Sequence, residues 1–163
     1  MNLKNLTIKQ AHELIIKKEM SSVDLTCHFL NEIKKNDKEI NAFLSVTEEA
    51  ALEAAKKVDE RIAKGETGEM LAGIPAVGKD NILIQGGKTT AASKILENYV
   101  APYDATIIKK LKEEEAVLIG KTNMDEFAMG SSTENSGFGP TKNPVDLETI
   151  EYLLRHGAKV IIA

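Results

Sequence analysis

The spacing of apolar residues changes near residues 65–68, and this change constrains the fold more than any other feature of the chain. Before it, apolar residues recur at helical spacing. After it, they fall into short continuous runs separated by turn residues, with helical stretches between the runs. Helices followed by alternating strands and helices are typical of α/β layering. The sequence therefore predicts an α/β fold that begins with helices and continues with alternating strands and helices.

Three helices are predicted in the first part of the chain, and the third ends at Gly65. Their starts are marked by Thr7 with Gln10, Ser21 with Asp24, and Thr47 with Glu48 and Glu49. The apolar stripes of the second and third helices consist of Leu25, Phe29 and Ile33, and of Ala50, Ala51, Ala54, Ala55, Val58 and Ile62. Each stripe lies on one side of its helix, so each helix is predicted to pack against a core.

The later segments predict strands and helices in alternation. The predicted strands are 73–80, 116–119 and 160–162, and residues 42–46 are either a strand or a buried extended linker. The predicted helices are 104–115 and 147–156. Residues 130–144 are dense in Gly, Ser, Thr, Asn and Pro and predict a long loop.

Composition excludes several classes of protein. The net charge of −4 argues against a chain that binds nucleic acid through its own bulk charge. The single cysteine, Cys27, has no internal partner for a disulfide, which favours a reducing compartment. No apolar stretch approaches the roughly 20 residues that cross a bilayer, and the first ten residues lack a signal-peptide core. We therefore expect a cytoplasmic protein without a membrane association.

Three common kinds of site are not supported by the residue spacing. Gly87-Lys88-Thr89 and Gly120-Lys121-Thr122 resemble the end of a phosphate-binding loop, but the glycine required five residues earlier is replaced by Ile82 and Glu115. His12, His28 and His156 are scattered and predict no metal site. Cys27 and His28 are adjacent on a helix and so point about 100° apart, which does not suit a nucleophile and its base.

Lys79 is the first candidate for chemistry, because it ends an apolar run. A lysine placed there loses hydration, which disfavours its charged form and lets it serve as a general base. The alternative is a snorkelling lysine, whose amine reaches water and pairs with Asp80 or Glu126.

The loop that begins at Gly130 is the second candidate. Its hydroxyl and amide groups are able to bind a polar substrate, and we take Met129, Gly130, Ser131 and Ser132 as the candidate substrate-binding residues. The alternative is a loop whose polar side chains satisfy their own backbone.

A longer set of motifs resembles the amidase-signature family and, within it, the A subunits of tRNA-dependent amidotransferases. The matching pieces are Gly73-Ile74-Pro75, Lys79-Asp80-Asn81, Thr89-Thr90-Ala91, Pro102-Tyr103-Asp104, the run from Gly120 to Ser136, and Phe138 to Pro144. The run from Met124 to Asn135 is the part that resembles the amidotransferase subunits in particular. The resemblance implies an incomplete amidase-signature fold over residues 1–147, in which N-terminal helices are followed by part of a mixed sheet covered by helices.

The resemblance also implies a mechanism and partners. Lys79 corresponds to the catalytic lysine of the family, which takes a proton through a bridging serine from the serine that attacks the amide. The amide donor would be glutamine, whose hydrolysis supplies ammonia. The B and C subunits of the amidotransferase would be partners, and misacylated tRNA, either Glu-tRNA(Gln) or Asp-tRNA(Asn), would reach the chain through the complex. ATP and magnesium would belong to the B subunit, and no cofactor is expected in this chain.

The sequence departs from the family pattern after Pro144. Residues 145–163 contain neither the bridging serine nor the nucleophile, and we interpret residues 148–163 as a helix–strand tail unlike the family. A chain shortened in this way is expected to be inactive alone. Two alternatives stay open, a non-catalytic interaction module and a fragment of a general amidase. Smaller departures are Gly78, where a branched residue is usual, and Glu115, where a helix-ending glycine is usual.

Overall fold

The computed structural model describes Leu3 and residues 6–144, and this part of the chain has the predicted α/β architecture. The helices are α1 (Ile8–Ile16), α2 (Ser22–Ile40), α3 (Glu48–Ala63) and α4 (Thr106–Glu113). The strands are β1 (Phe43–Val46), β2 (Pro75–Lys79) and β3 (Val117–Thr122). The predicted helix 147–156, the predicted strand 160–162 and the interpretation of residues 148–163 as a separate tail lie outside the described residues.

The N-terminal helices begin at the predicted residues. Thr7 and Gln10 form a reciprocal capping box at the start of α1, and the Ser21 hydroxyl accepts a hydrogen bond from the Asp24 amide at the start of α2 (2.9 Å). Thr47 precedes α3 as predicted, but its hydroxyl donates to the Leu118 carbonyl (3.0 Å) instead of capping the helix. Thr47 therefore connects α3 to β3.

The sheet is mixed, as predicted, and its strand order is β1-β3-β2. The central strand β3 pairs antiparallel with β1 and parallel with β2. In the parallel pair, Gly78 is opposite Lys121 and Lys79 is opposite Thr122. The carboxyl ends of β2 and β3 therefore lie side by side at one edge of the sheet.

The main core lies between helices α1–α3 and the sheet. Its largest buried members include Ile15, Leu25, Phe29, Ile74 and Ile119. The predicted stripe of α3 is confirmed for Ala51, Ala55, Val58 and Ile62, is half-buried at Ala54, and is wrong at Ala50, which is exposed. An ideal Cβ on Gly78 would lie 4.0 Å from Ile108 Cδ1, so α4 packs close to β2.

Left-handed backbone follows α3 and α4. Gly65 has φ +86° and ends α3 at the predicted position. Glu115 has φ +58°, a conformation that is costly for a residue with a Cβ. Its carboxylate forms an ion pair with Arg61. No helix between residues 6 and 144 is both long enough and apolar enough to span a membrane.

Candidate functional site

Two polar loops meet at the edge of the sheet where β2 and β3 end. Residues 80–93 follow β2, and residues 123–141 follow β3. The loops are joined by hydrogen bonds from the Phe127 amide to the Ala91 carbonyl (2.9 Å) and from the Gly137 amide to the Ala92 carbonyl (2.8 Å). The carboxyl ends of parallel strands are the usual place for a binding or catalytic site in an α/β fold. Lys79 and the loop that begins at Gly130, the two candidate regions of the sequence, therefore lie at the same edge of the sheet.

Lys79 is the last residue of β2 and is partly exposed. Among the described residues, none of the hydrogen bonds or ion pairs involves its amine. The alternative, a snorkelling lysine paired with Asp80 or Glu126, agrees with the partial exposure of Lys79, but neither pairing is present among the described residues. Asp80 is paired with Lys121 (3.2 Å), and Glu126 accepts a hydrogen bond from the Ser93 hydroxyl (2.5 Å).

The expectation that Lys79 is stripped of water is wrong, because its side chain keeps part of its exposure; the lysine that is removed from water is Lys121, which is 2% exposed. Burial lowers the pKa of Lys121, and the Asp80 carboxylate opposes this effect without cancelling it. Sequence reasoning missed this residue because Gly120-Lys121-Thr122 was compared only with a phosphate-binding loop. The available signal was that Lys121 continues the apolar run of a strand buried on both faces.

Asp125 organises the loop after β3. Its carboxylate accepts hydrogen bonds from the amides of Ser132 (3.1 Å), Thr133 (2.9 Å) and Asn135 (3.1 Å), and from Asn135 Nδ2 (3.1 Å). Burial acts to raise the pKa of Asp125, but the hydrogen bonds from Thr133, Asn135 and Ser132 outweigh it, so the pKa lies below its ordinary value. A Cβ on Gly130 would overlap the Asp125 carboxylate, which explains why glycine stands there.

The four candidate substrate-binding residues occupy the outer part of this loop. Met129 is 72% exposed, and Gly130 and Ser131 are also exposed. Ser132 is buried, and its hydroxyl donates to Glu134 Oε2 (2.7 Å). Ser131 and the Met129 side chain are thus accessible at the surface, whereas the Ser132 hydroxyl is engaged within the loop. Their role in substrate binding stays a prediction.

Strained backbone is concentrated in the two loops. The non-glycine residues with positive φ there are Ala91 (48°), Ala92 (55°), Phe127 (53°), Ala128 (62°) and Thr133 (64°). Each such residue costs about 1–2 kcal/mol relative to ordinary backbone. Strain of this kind persists where surrounding contacts enforce it, and it clusters at functional sites. Its concentration at this edge supports the location of the candidate site.

The structure assigns the residues of the excluded motifs to other roles. Lys121 lies within β3, and Lys88 forms an isolated bridge with Val100, so neither lies in a phosphate-binding loop. His28 packs against Phe29 in α2, and its Nε2 has no hydrogen-bond partner among the described residues, so it is not a base for Cys27. Within the described part of the chain, no three His, Cys, Asp or Glu side chains are grouped closely enough to hold a metal ion.

Comparison with known proteins gives a consistent assignment. The model of the Amidase family matches residues 24–151. The whole chain is 48% identical to the glutamyl-tRNA(Gln) amidotransferase A subunit numbered 2 in Clostridium acetobutylicum, of which it covers 34%. The chain therefore spans about a third of the length of this curated relative.

Solved structures agree with the sequence comparison. The crystal structure of the glutamyl-tRNA(Gln) amidotransferase A subunit from Thermotoga maritima is 40% identical, with a TM-score of 0.71 over 92% of this chain and 30% of that one. A bacterial aryl acylamidase of the amidase-signature family is 27% identical, with a TM-score of 0.81 over 90% of this chain and 31% of that one. The fold is therefore the corresponding part of an amidase-signature fold.

Proposed function

The chain belongs to the amidase family, and from that premise we propose that it corresponds to an N-terminal portion of a glutamyl-tRNA(Gln) amidotransferase A subunit. In this role, the complete protein hydrolyses the side-chain amide of glutamine and supplies the ammonia that converts Glu-tRNA(Gln) to Gln-tRNA(Gln). The higher identity to amidotransferase A subunits (48% and 40%) than to the aryl acylamidase (27%) supports this substrate class over a general amidase.

The observation that carries the proposal is the contrast between two lysines at the same sheet edge. Lys121 is buried, and its amine is engaged by Asp80, Lys88 and Thr89. Lys79 is partly exposed, and its amine has no partner among the described residues. An amine that ends a strand and is not engaged by the described residues is free to contact a serine hydroxyl supplied by the rest of the protein. We assign that role to Lys79.

The chemistry then follows the requirements of amide hydrolysis. A serine hydroxyl gives its proton, through a second serine, to the Lys79 amine as the serine oxygen bonds to the amide carbon. The carbon–nitrogen bond breaks, the departing nitrogen takes up the proton and leaves as ammonia, and water then cleaves the acyl-serine ester. The 163 residues contain no counterpart of either serine, so we expect no glutamine hydrolysis by this chain on its own.

The partners follow from the same proposal. The B subunit would activate the misacylated tRNA with ATP and magnesium, and the C subunit would hold the other two together. The net charge of −4 fits a chain that leaves contact with the tRNA to a partner. The site of action would be the cytoplasm.

The test is a chimera that supplies the missing segment. Residues 1–147 of this chain replace the matching residues of the Clostridium acetobutylicum relative, and the chimera is assembled with the B and C subunits of that organism. We expect ammonia release from glutamine and formation of Gln-tRNA(Gln). Lys79→Ala should lower kcat by about 10⁴-fold, because members of a catalytic triad act as a unit.

Two further variants test whether Lys79 acts as a base or only contributes a positive charge. Lys79→Arg keeps a positive charge at this position, but a guanidinium stays protonated and cannot accept a proton. This variant should therefore be as inactive as Lys79→Ala. Lys57→Ala is the matched control, because the Lys57 side chain is 69% exposed and pairs with Glu53 on the same helix (2.8 Å), so its activity should equal that of the parent. A folded but inactive parent chimera would refute the proposed function. Retained activity in Lys79→Ala would refute the role of Lys79.

A non-catalytic interaction module is a second candidate, favoured by the exposure of two large apolar side chains. Ile95 follows the loop after β2 and is 82% exposed, and Met129 lies in the loop after β3 and is 72% exposed. Each is available for contact with a partner protein. Co-purification of the 163-residue chain with the B and C subunits, lost in Ile95→Lys or Met129→Lys, would support this candidate. Absence of co-purification would exclude it.

A further inference from the structure

The ion pair between Asp80 and Lys121 is buried directly beside the proposed catalytic lysine. Asp80 Oδ1 lies 3.2 Å from Lys121 Nζ, and both side chains are 2% exposed. Asp80 is the residue after Lys79, and Lys121 is opposite Gly78 in the parallel pair. The pair therefore links β2 to β3 at the position where Lys79 leaves the sheet.

Both charged groups have further partners in residues 88–92. Lys121 Nζ donates to the Thr89 hydroxyl (2.7 Å) and to the Lys88 carbonyl (3.1 Å). Asp80 Oδ2 accepts hydrogen bonds from the Thr90 amide (2.9 Å) and the Thr90 hydroxyl. The ion pair thus holds the strained loop segment against the strand ends.

Stability alone is a weak reason for this arrangement. Removing two charges from water is costly, and replacing a buried ion pair with uncharged side chains of similar volume is often neutral or stabilising. Burial also lowers the pKa of Lys121, in keeping with the cost of holding that charge there. A buried pair with satisfied partners instead fixes a particular local geometry.

The geometry that it fixes is the backbone on the carboxyl side of Lys79. The Asp80 amide donates to the Thr122 carbonyl (3.1 Å), and the Asp80 carbonyl accepts from the Ala91 amide (3.2 Å) and from Lys121 Nζ (3.3 Å). The Lys79 carbonyl accepts from the Ile82 amide (2.8 Å). The polar backbone groups from the Lys79 carbonyl to the Asp80 carbonyl are therefore all engaged, whereas the Lys79 amine is not.

We propose that the Asp80–Lys121 pair is a positioning device for Lys79, which fixes the direction in which the Lys79 side chain leaves β2. This inference rests on the proposed function of Lys79 as the base. Asp80 and Lys121 act through the backbone and touch no substrate. A displacement of the reacting groups by about 1 Å can lower the rate by about 10²-fold.

The principal test is the double variant Asp80→Asn/Lys121→Met in the chimera described above. Each single change leaves one buried charge unpaired and should lower Tm, whereas the double change removes both charges and should keep Tm near that of the parent. We expect kcat of the double variant to fall about 10²-fold, with KM for glutamine within about threefold of the parent. A purely structural pair predicts parent kcat at parent Tm, and that result would overturn the proposal.

The matched control is the ion pair between Lys34 and Glu48 (2.6 Å), which joins α2 to α3 and lies outside both loops of the candidate site. The double variant Lys34→Met/Glu48→Gln should leave kcat unchanged. If Asp80→Asn/Lys121→Met does not fold, Thr89→Val tests the same point, because it removes only the hydroxyl that accepts from Lys121 Nζ. It should lower kcat by about tenfold at constant KM, and an unchanged kcat would count against the proposal.

A second readout does not depend on activity. Competitive labelling with acetic anhydride, read by mass spectrometry, measures the reactivity of each lysine amine in the 163-residue chain. In Asp80→Asn/Lys121→Met, or in Thr89→Val if that double variant does not fold, the labelling rate of Lys79 relative to Lys57 should change by at least about threefold, because the environment of the Lys79 amine changes. An unchanged ratio would overturn the positioning role. An inactive parent chimera would overturn the proposed function and leave this measurement intact.

Discussion

Removal of the Asp125 carboxylate should destabilise the loop that carries the candidate substrate-binding residues. In Asp125→Ala, the amides of Ser132, Thr133 and Asn135 lose their acceptor. Ser132 and Thr133 are 7% and 3% exposed, so their amides have little access to water, whereas Asn135 is exposed and can be hydrated.

The magnitude follows from the two buried amides. An orphaned buried amide costs about 1–3 kcal/mol, so two of them reduce the free energy of unfolding by about 2–6 kcal/mol, and entry of water keeps the loss near the middle of that range. A loss of about 4 kcal/mol corresponds to a decrease in Tm of roughly 8–16 °C for a domain of this size. Thermal unfolding and hydrogen exchange at the Ser132 and Thr133 amides measure the two consequences directly.

The control is Glu69→Ala, which removes a carboxylate from an exposed turn and should change the free energy of unfolding by less than about 0.5 kcal/mol. If Asp125→Ala melts within about 2 °C of the parent and its loop amides exchange no faster, the hydrogen bonds to Asp125 do not organise the loop.

The same substitution has a pH signature. Asp125 has a pKa below its ordinary value of 3.8 in the folded chain, so its contribution to stability is fully present above that ordinary value. It is lost as the pH falls through the lower pKa of the folded state. The difference in unfolding free energy between the parent and Asp125→Ala should therefore be constant from about pH 5 upward and shrink below about pH 4. A difference that grows on acidification would contradict the direction of the shift.

Two further predictions concern glycine. The first restores a glycine at Glu115, where a helix-ending glycine is usual, and the second replaces Gly78 and Gly120 by alanine. Glu115→Gly relieves left-handed strain of about 1–2 kcal/mol and loses an ion pair with Arg61 worth about 0–1 kcal/mol, so Tm should rise by a few degrees; a lower Tm would mean that the ion pair outweighs the strain. Gly78→Ala should stabilise by about 0.5–1 kcal/mol, because its Cβ would meet Ile84 Cδ1 at an ordinary 3.5 Å. Gly120→Ala should destabilise by about 2–3 kcal/mol, because its Cβ would overlap the Ser45 carbonyl; equal melting temperatures for these two variants would refute the packing argument.

Local signals in the sequence were sufficient for the helix starts and for the ends of several elements. Thr7 with Gln10 and Ser21 with Asp24 form hydrogen bonds over three residues, so the sequence pattern contains both partners. The position of Lys79 at the end of a strand was predicted for the same reason, since the apolar run before it is continuous. Where the burial of a residue depends on a distant element, as for the exposed Ala50, the helical pattern alone was insufficient.

The pairings at the candidate site depend on tertiary structure and were not predictable from local patterns. Asp80 has an adjacent lysine in the sequence but pairs with Lys121, which is 41 residues away. The sequence places Asp125 next to a polar loop but does not show which amides its carboxylate binds. Its donors are Ser132, Thr133 and Asn135, because the backbone is left-handed at Thr133 and Gly130 has no side chain. Burial of the Ser132 hydroxyl and exposure of Ser131 are consequences of that loop geometry.

The order β1-β3-β2 has a consequence for synthesis on the ribosome. Neither β1 nor β2 has a partner in this sheet until β3, the last of the three to be translated, is available between them. The 43 residues from the end of β2 to the end of β3 take about 2–9 seconds to translate at roughly 5–20 residues per second. During that interval, β1 and β2 have been translated but lack their partner in this sheet. Once β3 has been translated, it can form backbone hydrogen bonds with β1 and with β2.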